Sequence, residues 1–267
     1  MATVRDKLWI FGVRAHQDDI YLCRARQRRH PLNWSRITPA EGAMLLDVPN
    51  VAMVNCDGVP APFSHDAYGY AESFRRLDRV LWGCAGSGGF RSGNEEKFIR
   101  ALVEKYPNIC GAYLDDYIGA APEEAAETAL RSIRAELSAV GKPLEIYVTW
   151  YFGAKASARL FEYIDGVTIW TWNWQGLKDL PENFAQLERD LPGKKKILGC
   201  YLFDFDSGES VPVEWMEYQC EFGLKMLREG RLDGIMFEAN SVMGVGLESE
   251  KWLCSWIDRV KHEELPA

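Results

Sequence analysis

Short apolar segments alternate with longer amphipathic segments along the whole chain. The short segments are rich in β-branched and aromatic residues, which is typical of buried strands. Eight such segments are predicted as strands: Leu8–Val13, Val51–Cys56, Val80–Cys84, Cys110–Asp115, Leu144–Trp150, Gly166–Trp172, Ile197–Phe203 and Gly234–Glu238. Between them the spacing predicts helices, for example over Pro122–Val140 and Val213–Glu229. The pattern therefore predicts a chain of repeated strand and helix units.

Strict alternation of strand and helix predicts a parallel sheet, and eight units close a (β/α)8 barrel of about 250 residues. The chain has 267 residues, so the length fits one barrel. No Pro/Gly/Ser-rich linker or shift in composition divides it. We therefore expect residues 1–267 to form a single α/β domain, a TIM barrel, with a doubly wound open sheet as the alternative.

Predicted strands four, six and eight share a faint repeat that sets the direction of their side chains. Each carries a glycine, and the fourth residue after it is Asp115, Trp170 or Glu238. Because side chains alternate along a strand, these three should point toward the barrel axis. The neighbouring Asp116 should point toward the strand wall or the next loop, unless a bulge at the strand end exchanges the two aspartates.

Polar and aromatic residues concentrate at the predicted C-terminal ends of the strands, where a barrel of this type carries its active face. The polar binding candidates there are His16, Asp18, Asp57, Asp204 and Asn240. The aromatic binding candidates are Trp150, Tyr151, Trp170, Trp172, Trp174 and Tyr201. Aromatic rings suit the faces of sugar rings, and carboxyl groups bind hydroxyls or transfer protons. Together these residues indicate a carbohydrate site.

Asp115 and Glu238 are the first catalytic candidates, with Asp116 as a third acid. Two carboxyl groups pressed together raise one pKa by repulsion, which keeps an acid protonated near neutral pH. Structural roles stay open for several of these residues. The two aspartates can cap the next helix, Trp170 can fill the barrel, and His16 can be a hydrogen-bonded structural residue.

The charge balance excludes some partners. Lys and Arg total 31 against 39 Asp and Glu, a net charge of -8, so we expect no nucleic-acid partner. No apolar run approaches the roughly 20 residues that span a bilayer, and the N-terminal segment is charged, so we expect no membrane span and no signal peptide. The seven cysteines are scattered, which fits a reducing cytoplasm better than a disulfide framework. The oligomeric state is left open.

We expect no cofactor and no histidine-based metal centre, because none of the four histidines has the spacing of a metal-binding pair. A Mg²⁺ or Ca²⁺ site made of carboxylates stays open. The glycine-rich segment 83–89 lacks the Gly-Lys-Ser/Thr ending of a phosphate-binding loop. It indicates a flexible rim or a close approach of the backbone instead.

Four segments carry a resemblance to glycoside hydrolase barrels. Asp165-Gly166-Val and Asp233-Gly234-Ile resemble the starts of their inner strands, and Gly111-Ala-Tyr-Leu-Asp-Asp-Tyr117 looks like the strand-four segment of bacterial glycosidase-like barrel proteins. Leu198-Gly-Cys-Tyr-Leu-Phe-Asp204 falls where their seventh strand is expected. Chitinase-like barrels carry a glutamate where this chain has Tyr117, and the large retaining clan carries glutamates on strands four and seven where this chain has aspartates. The resemblance implies a class of enzyme and leaves the substrate open.

The hypothesis from the sequence is a glycoside hydrolase, or a related sugar-processing enzyme, that uses paired carboxyl groups. One alternative is a barrel that binds carbohydrate without catalysis, since the same aromatic residues permit it. Another is an isomerase or lyase that acts on a sugar acid with a divalent metal ion.

Overall fold

A closed barrel of eight parallel strands forms the centre of the molecule, as the sequence predicts. The computed structural model describes residues 2–22, 35–152 and 158–266. The strands are β1 (Leu8–Gly12), β2 (Asn50–Met53), β3 (Arg79–Ala85), β4 (Ile109–Leu114), β5 (Glu145–Tyr151), β6 (Gly166–Trp170), β7 (Lys195–Tyr201) and β8 (Gly234–Glu238). Neighbours in sequence are neighbours in the barrel, and β1 closes it by pairing with β8. The open-sheet alternative is therefore wrong.

Each barrel strand is followed by a helix. The helices are α1 (Pro39–Leu46), α2 (His65–Ser73), α3 (Glu95–Lys105), α4 (Glu123–Ser138), α5 (Ala158–Phe161), α6 (Leu180–Asp190), α7 (Val213–Arg228) and α8 (Glu248–Val260). A short antiparallel hairpin between β7 and α7 pairs Phe203–Asp204 with Glu209–Ser210. The fold is a TIM barrel of the α/β class.

The helices begin and pack where the sequence places capping and apolar residues. At α1 the Thr38 side chain accepts from the Glu41 amide while the Glu41 side chain accepts from the Thr38 amide, which is a capping box. Along α4 the buried residues follow each other at spacings of three and four: Ala126, Leu130, Ile133 and Leu137. That spacing forms the apolar stripe by which a helix packs on a sheet.

The predicted strands all exist, and their ends differ by up to three residues from the observed ends. The sixth strand ends at Trp170 rather than Trp172, and the seventh ends at Tyr201 rather than Phe203. Beyond those points the chain turns to form the rim, so Trp172 lies on a loop. The hydrogen bonds between neighbouring strands end before the apolar pattern in the sequence ends, so the pattern predicts these two strands too long at their C-terminal ends.

Large side chains fill the barrel below its C-terminal end. Phe11 packs edge-to-face on Tyr113 at 5.9 Å and on Trp170 at 5.6 Å between ring centroids. Gly199 on β7 makes room for the indole, because a Cβ atom there would stand 2.1 Å from the Trp170 ring. These rings form the floor on which the site described below is built.

The aspartates that precede the glycines of β6 and β8 have a structural role at the opposite end of the barrel. The Asp165 carboxylate accepts from the Ile146 amide at 2.7 Å, and that of Asp233 accepts from the Lys196 amide at 2.9 Å. Both aspartates also donate their own amide to the same neighbour. The repeat in the sequence therefore reflects how adjacent strands are tied together where they begin.

Candidate active site

Five carboxyl groups meet in one cavity at the C-terminal end of the barrel. The cavity has a volume of about 370 Å³. Its carboxyl groups belong to Asp18, Asp57, Asp115, Asp116 and Glu238. They arrive from four different strands, because parallel strands bring their C-terminal ends to the same edge of a barrel.

Asp115 directly follows β4 and is 7% exposed. Its Oδ1 accepts a hydrogen bond of 2.7 Å from Thr149 Oγ1 on β5. Burial, and then the charge of the adjacent Asp116, raise the pKa of Asp115 to about 7. The hydrogen bond from Thr149 opposes that rise in pKa because it favours the ionised form. The group therefore exchanges its proton near neutral pH.

Asp116 also reaches the cavity, because its backbone adopts a left-handed conformation with φ of 48°. Its Oδ1 accepts from the Tyr151 hydroxyl at 2.9 Å and its Oδ2 accepts from the Gly88 amide at 3.1 Å. Gly88 belongs to the glycine-rich segment after β3, so that segment does bring backbone close to the site. The turn at Asp116 allows both aspartates to face the same space.

Glu238 is the last residue of β8 and lines the same cavity. Burial raises the pKa of Glu238 well above its usual range, and the nearby charges of Asp18, Asp115 and Asp116 act in the same direction. A hydrogen bond from Tyr201 works against that rise in pKa. Glu238 therefore keeps its proton to a higher pH than an ordinary glutamate does.

Asp18 lies on the segment after β1, the strand that pairs with β8, and its charge acts on Glu238. It accepts a hydrogen bond from the Ser241 hydroxyl of the loop after β8. Burial raises the pKa of Asp18 to about 6, against the effect of that hydrogen bond. Asp57 Oδ2 accepts at 3.1 Å from the side-chain Nε2 of Gln17, whose Oε1 accepts from Arg14 Nε at 2.6 Å.

Aromatic rings form one wall of the cavity. Trp172 is 48% exposed and stacks beside Phe205, with ring centroids 6.5 Å apart and planes inclined by 27°. Tyr151 and Tyr201 stand edge-on to the same indole at 6.2 and 5.9 Å. An indole face that solvent reaches, next to carboxyl groups, is the arrangement that sugar rings stack on.

The structure places several predicted binding residues outside this cavity. Trp150 points outward and packs on Phe161 at 5.5 Å, because it lies between two inward residues of β5. Trp174 packs on Trp215 at 5.9 Å. His16 is exposed, does not line the cavity, and contacts the Asp19 carboxylate at 3.1 Å through Nδ1.

Two further polar candidates hold the backbone instead of lining the cavity. Asp204 is buried and its Oδ1 accepts from the amides of Asp206 and Ser207, which fixes a tight turn. Asn240 is completely buried and bonds both the amide and the carbonyl of Val13. It ties the loop after β8 to the end of β1.

Other lining residues were not chosen from the sequence. They are Phe11, Val13, Arg14, Gln17, Ile20, Tyr21, Cys56, Ser87 and Phe205. Phe11 could have been found, since it is an inward residue of the first strand and obeys the same alternation as Asp115. Arg14 and Gln17 lie on a loop, where no periodicity predicts direction.

Within residues 2–22, 35–152 and 158–266, no group of three or more His, Cys, Asp or Glu side chains has the arrangement of a metal site. No helix in that part of the chain has the length and apolar character needed to cross a membrane.

The barrel is similar to those of several glycoside hydrolases of known structure. A GH99 endo-α-mannosidase from Bacteroides thetaiotaomicron aligns with a TM-score of 0.60 and 9% identity, covering 96% of this chain and 97% of that one. A chitinase from the same organism aligns with a TM-score of 0.54 and 12% identity, covering 97% of each chain. The Bacillus cereus spore cortex-lytic enzyme SleL aligns with a TM-score of 0.55 and 13% identity, over 97% of this chain and 75% of that one.

No protein-family model matches the chain, and no curated protein matches its sequence. The likeness to solved structures confirms the fold, a (β/α)8 barrel similar to the barrels of these glycoside hydrolases, as the resemblance in the sequence implies.

Proposed function

We propose that this chain hydrolyses a glycosidic bond, or carries out a closely related reaction on a sugar, in the cavity at the C-terminal end of the barrel. The observation that carries the proposal is the meeting of Asp115 and Glu238 in one cavity beside the exposed indole of Trp172. The enzymes of similar fold include a chitinase and an endo-α-mannosidase, so carbohydrate is the substrate class that fits.

Glu238 is the candidate general acid. Its raised pKa keeps a proton available to the glycosidic oxygen while the bond from that oxygen to the anomeric carbon breaks. Asp115 is the candidate carboxylate that either attacks the anomeric carbon or removes a proton from the attacking water. Asp116 and Asp57 accept hydrogen bonds within the same cavity and are suited to hold sugar hydroxyls.

Turnover of a panel of aryl glycosides and oligosaccharides, followed by proton NMR of the released sugar, tests this proposal. Asp115→Asn and Glu238→Gln should each reduce turnover by at least about 100-fold, as expected for the loss of an acid or base. Glu209→Gln is the matched control, because that residue is exposed and lies outside the cavity. If both cavity variants keep full turnover, the assignment of the pair is wrong.

Other outcomes point to the other two functions. Calorimetry that shows tight sugar binding, with no turnover of any substrate, would favour a barrel that only binds carbohydrate. Loss of activity on a sugar acid after addition of a chelator, with recovery on adding Mg²⁺, would favour the isomerase or lyase.

A further inference from the structure

A chain of hydrogen bonds crosses the barrel interior below the cavity and ends on Asp115. Thr149 Oγ1 contacts Asp115 Oδ1 at 2.7 Å, and the Tyr113 hydroxyl contacts Thr149 Oγ1 at 2.8 Å. The same tyrosine hydroxyl contacts Thr168 Oγ1 at 2.7 Å, and Trp170 Nε1 donates to that threonine at 2.9 Å. All five residues are buried, so protein groups must satisfy these hydroxyls.

This series of hydrogen bonds runs in one direction because the indole of Trp170, at one end of it, can only donate. An indole N–H has no acceptor atom, so Thr168 Oγ1 accepts from Trp170. Within the part of the chain that the structure describes, the other hydrogen bond of Thr168 Oγ1 is the one with Tyr113. Its single proton therefore goes to the Tyr113 oxygen.

The same count of donors and acceptors fixes the hydrogen bonds of Tyr113 and Thr149. Tyr113 has one proton, and since its oxygen accepts from Thr168, that proton goes to Thr149 Oγ1. Thr149 in turn donates to Asp115 Oδ1. If Oδ1 of Asp115 carried a proton and donated it to Thr149, each hydroxyl in the series would have to donate in the opposite direction. The hydroxyl proton of Thr168 would then lack an acceptor in the interior, which is costly.

We infer that Thr149, Tyr113 and Thr168 are positioning residues that keep Oδ1 of Asp115 as a hydrogen-bond acceptor and confine its exchangeable proton to Oδ2. The inference concerns the ionisation of Asp115, so it holds whether the cavity hydrolyses a glycoside or only binds a sugar. If this inference fails, the proposed reaction is unaffected, and if the proposed reaction fails, this inference is unaffected.

Among the residues that the structure describes, the other titratable groups whose charges act on or beside Asp115 do not stabilise its charge. They are Asp116 next in the chain, Glu238 on β8, Tyr151 on β5, Tyr201 on β7, Cys56 after β2 and Tyr113 itself. All become negative on ionisation. The two contacts that lower the pKa of Asp115 are the Thr149 hydroxyl and the Asp116 amide. Removing the Thr149 hydroxyl should therefore change the pKa of Asp115 measurably.

NMR titration of the carboxyl carbon of Asp115, in full-length protein labelled with ¹³C-aspartate, measures that effect directly. Thr149→Val should raise the pKa of Asp115 by about one unit, a tenfold change in proton affinity. Thr149→Ser keeps the hydroxyl and should restore the titration. Thr168→Val, at the far end of the chain, should raise the pKa by less. Thr128→Val, a surface substitution on α4, should leave the titration unchanged.

A purely structural role for Thr149 makes a different prediction. The valine variant would then unfold at a lower temperature, with the titration of Asp115 at its original pH, and that result would overturn the inference. If Thr149→Val does not fold, Tyr113→Phe removes the preceding link and should still raise the pKa.

Neutron diffraction at a pH below the titration of Asp115 tests the location of the proton. We expect a deuteron on Asp115 Oδ2 and the deuteron of Thr149 directed at Oδ1. A deuteron on Oδ1, with that of Thr149 turned toward Tyr113, would overturn the inference.

Discussion

Replacing Asp115 with asparagine should stabilise the protein, and the gain should grow as the pH rises. Burial, followed by the charge of Asp116, raises the pKa of Asp115 from 3.8 to about 7. Asparagine keeps the shape of the side chain and an oxygen that can accept from Thr149, and it never becomes charged. The substitution therefore removes the buried charge with little change in packing.

The direction of the effect follows from proton linkage. A carboxyl group whose pKa is higher in the folded state than in the unfolded state contributes its full stability below the unfolded pKa, and that contribution is lost as pH rises through the folded pKa. For Asp115 this window runs from 3.8 to about 7. Each unit of pKa difference corresponds to about 1.36 kcal/mol, so the total is on the order of 4 kcal/mol.

Urea unfolding of the wild-type and Asp115→Asn proteins, from about pH 5 to about pH 8, measures this difference. The gap in the free energy of unfolding should widen by about 1.4 kcal/mol for each pH unit up to about pH 7 and then level off. Asp66→Asn, an exposed aspartate in the first turn of α2, is the control and should show no such slope. A gap between wild type and Asp115→Asn that is constant over the whole range would refute the reasoning.

Replacement by alanine should have opposite effects at the exposed Trp172 and at the buried Trp150. Trp172→Ala should raise KM for a glycoside while the unfolding temperature stays nearly constant, because the ring is 48% exposed. Trp150→Ala should reduce the free energy of unfolding by about 3–5 kcal/mol with no change in calorimetric sugar affinity. Gly199→Ala should lower the urea midpoint and shift tryptophan fluorescence, since the new Cβ would stand 2.1 Å from the Trp170 ring. The pH profile of kcat/KM should rise at about pH 7 as Asp115 ionises, and its alkaline fall should follow the loss of the proton from Glu238, whose pKa is raised by burial.

The direction of side chains within strands could be predicted from the sequence. The glycine repeat places Asp115, Trp170 and Glu238 on one face, and all three line the cavity. The prediction works there because a strand alternates its side chains with a period of two. It also identifies Trp150 as outward if the fifth strand is read by the same rule, since Thr149 and Tyr151 on either side of it face inward.

The positions after the strands could not be predicted in the same way. Trp174, Asp204 and Asn240 lie on the rim in sequence, yet their side chains turn into packing or backbone hydrogen bonds. Loop conformation depends on these specific contacts, and no periodicity encodes them. The left-handed turn at Asp116 is a similar case, because it brings a side chain into the cavity that alternation alone would direct elsewhere.

The sequence alone also does not indicate the series of hydrogen-bonded hydroxyls that ends on Asp115. Threonine is common in strands because it is β-branched, so Thr149 and Thr168 carry no chemical signature of their own. Their importance comes from the barrel, which brings β4, β5 and β6 together so that three hydroxyls meet. Only the register between strands shows that Thr149 and Thr168 both contact the Tyr113 hydroxyl and that Thr149 also contacts Asp115.

Protonated acids in the cavity bear on the choice between catalysis and simple binding. A site that only binds sugar hydroxyls can use solvated carboxylates or amides, whereas Asp18, Asp115 and Glu238 are buried together at the expense of their ionisation. Asparagine and glutamine at Asp115 and Glu238 would keep most hydrogen bonds to hydroxyls and remove the proton chemistry. A binding barrel should therefore keep most of its sugar affinity in Asp115→Asn and Glu238→Gln. An enzyme should keep affinity and lose turnover, and in either kind of barrel Asp115→Asn should gain stability as the pH rises toward about 7. Turnover measured beside sugar affinity in these two variants therefore separates the two functions, because only proton transfer requires the groups to gain and lose a proton.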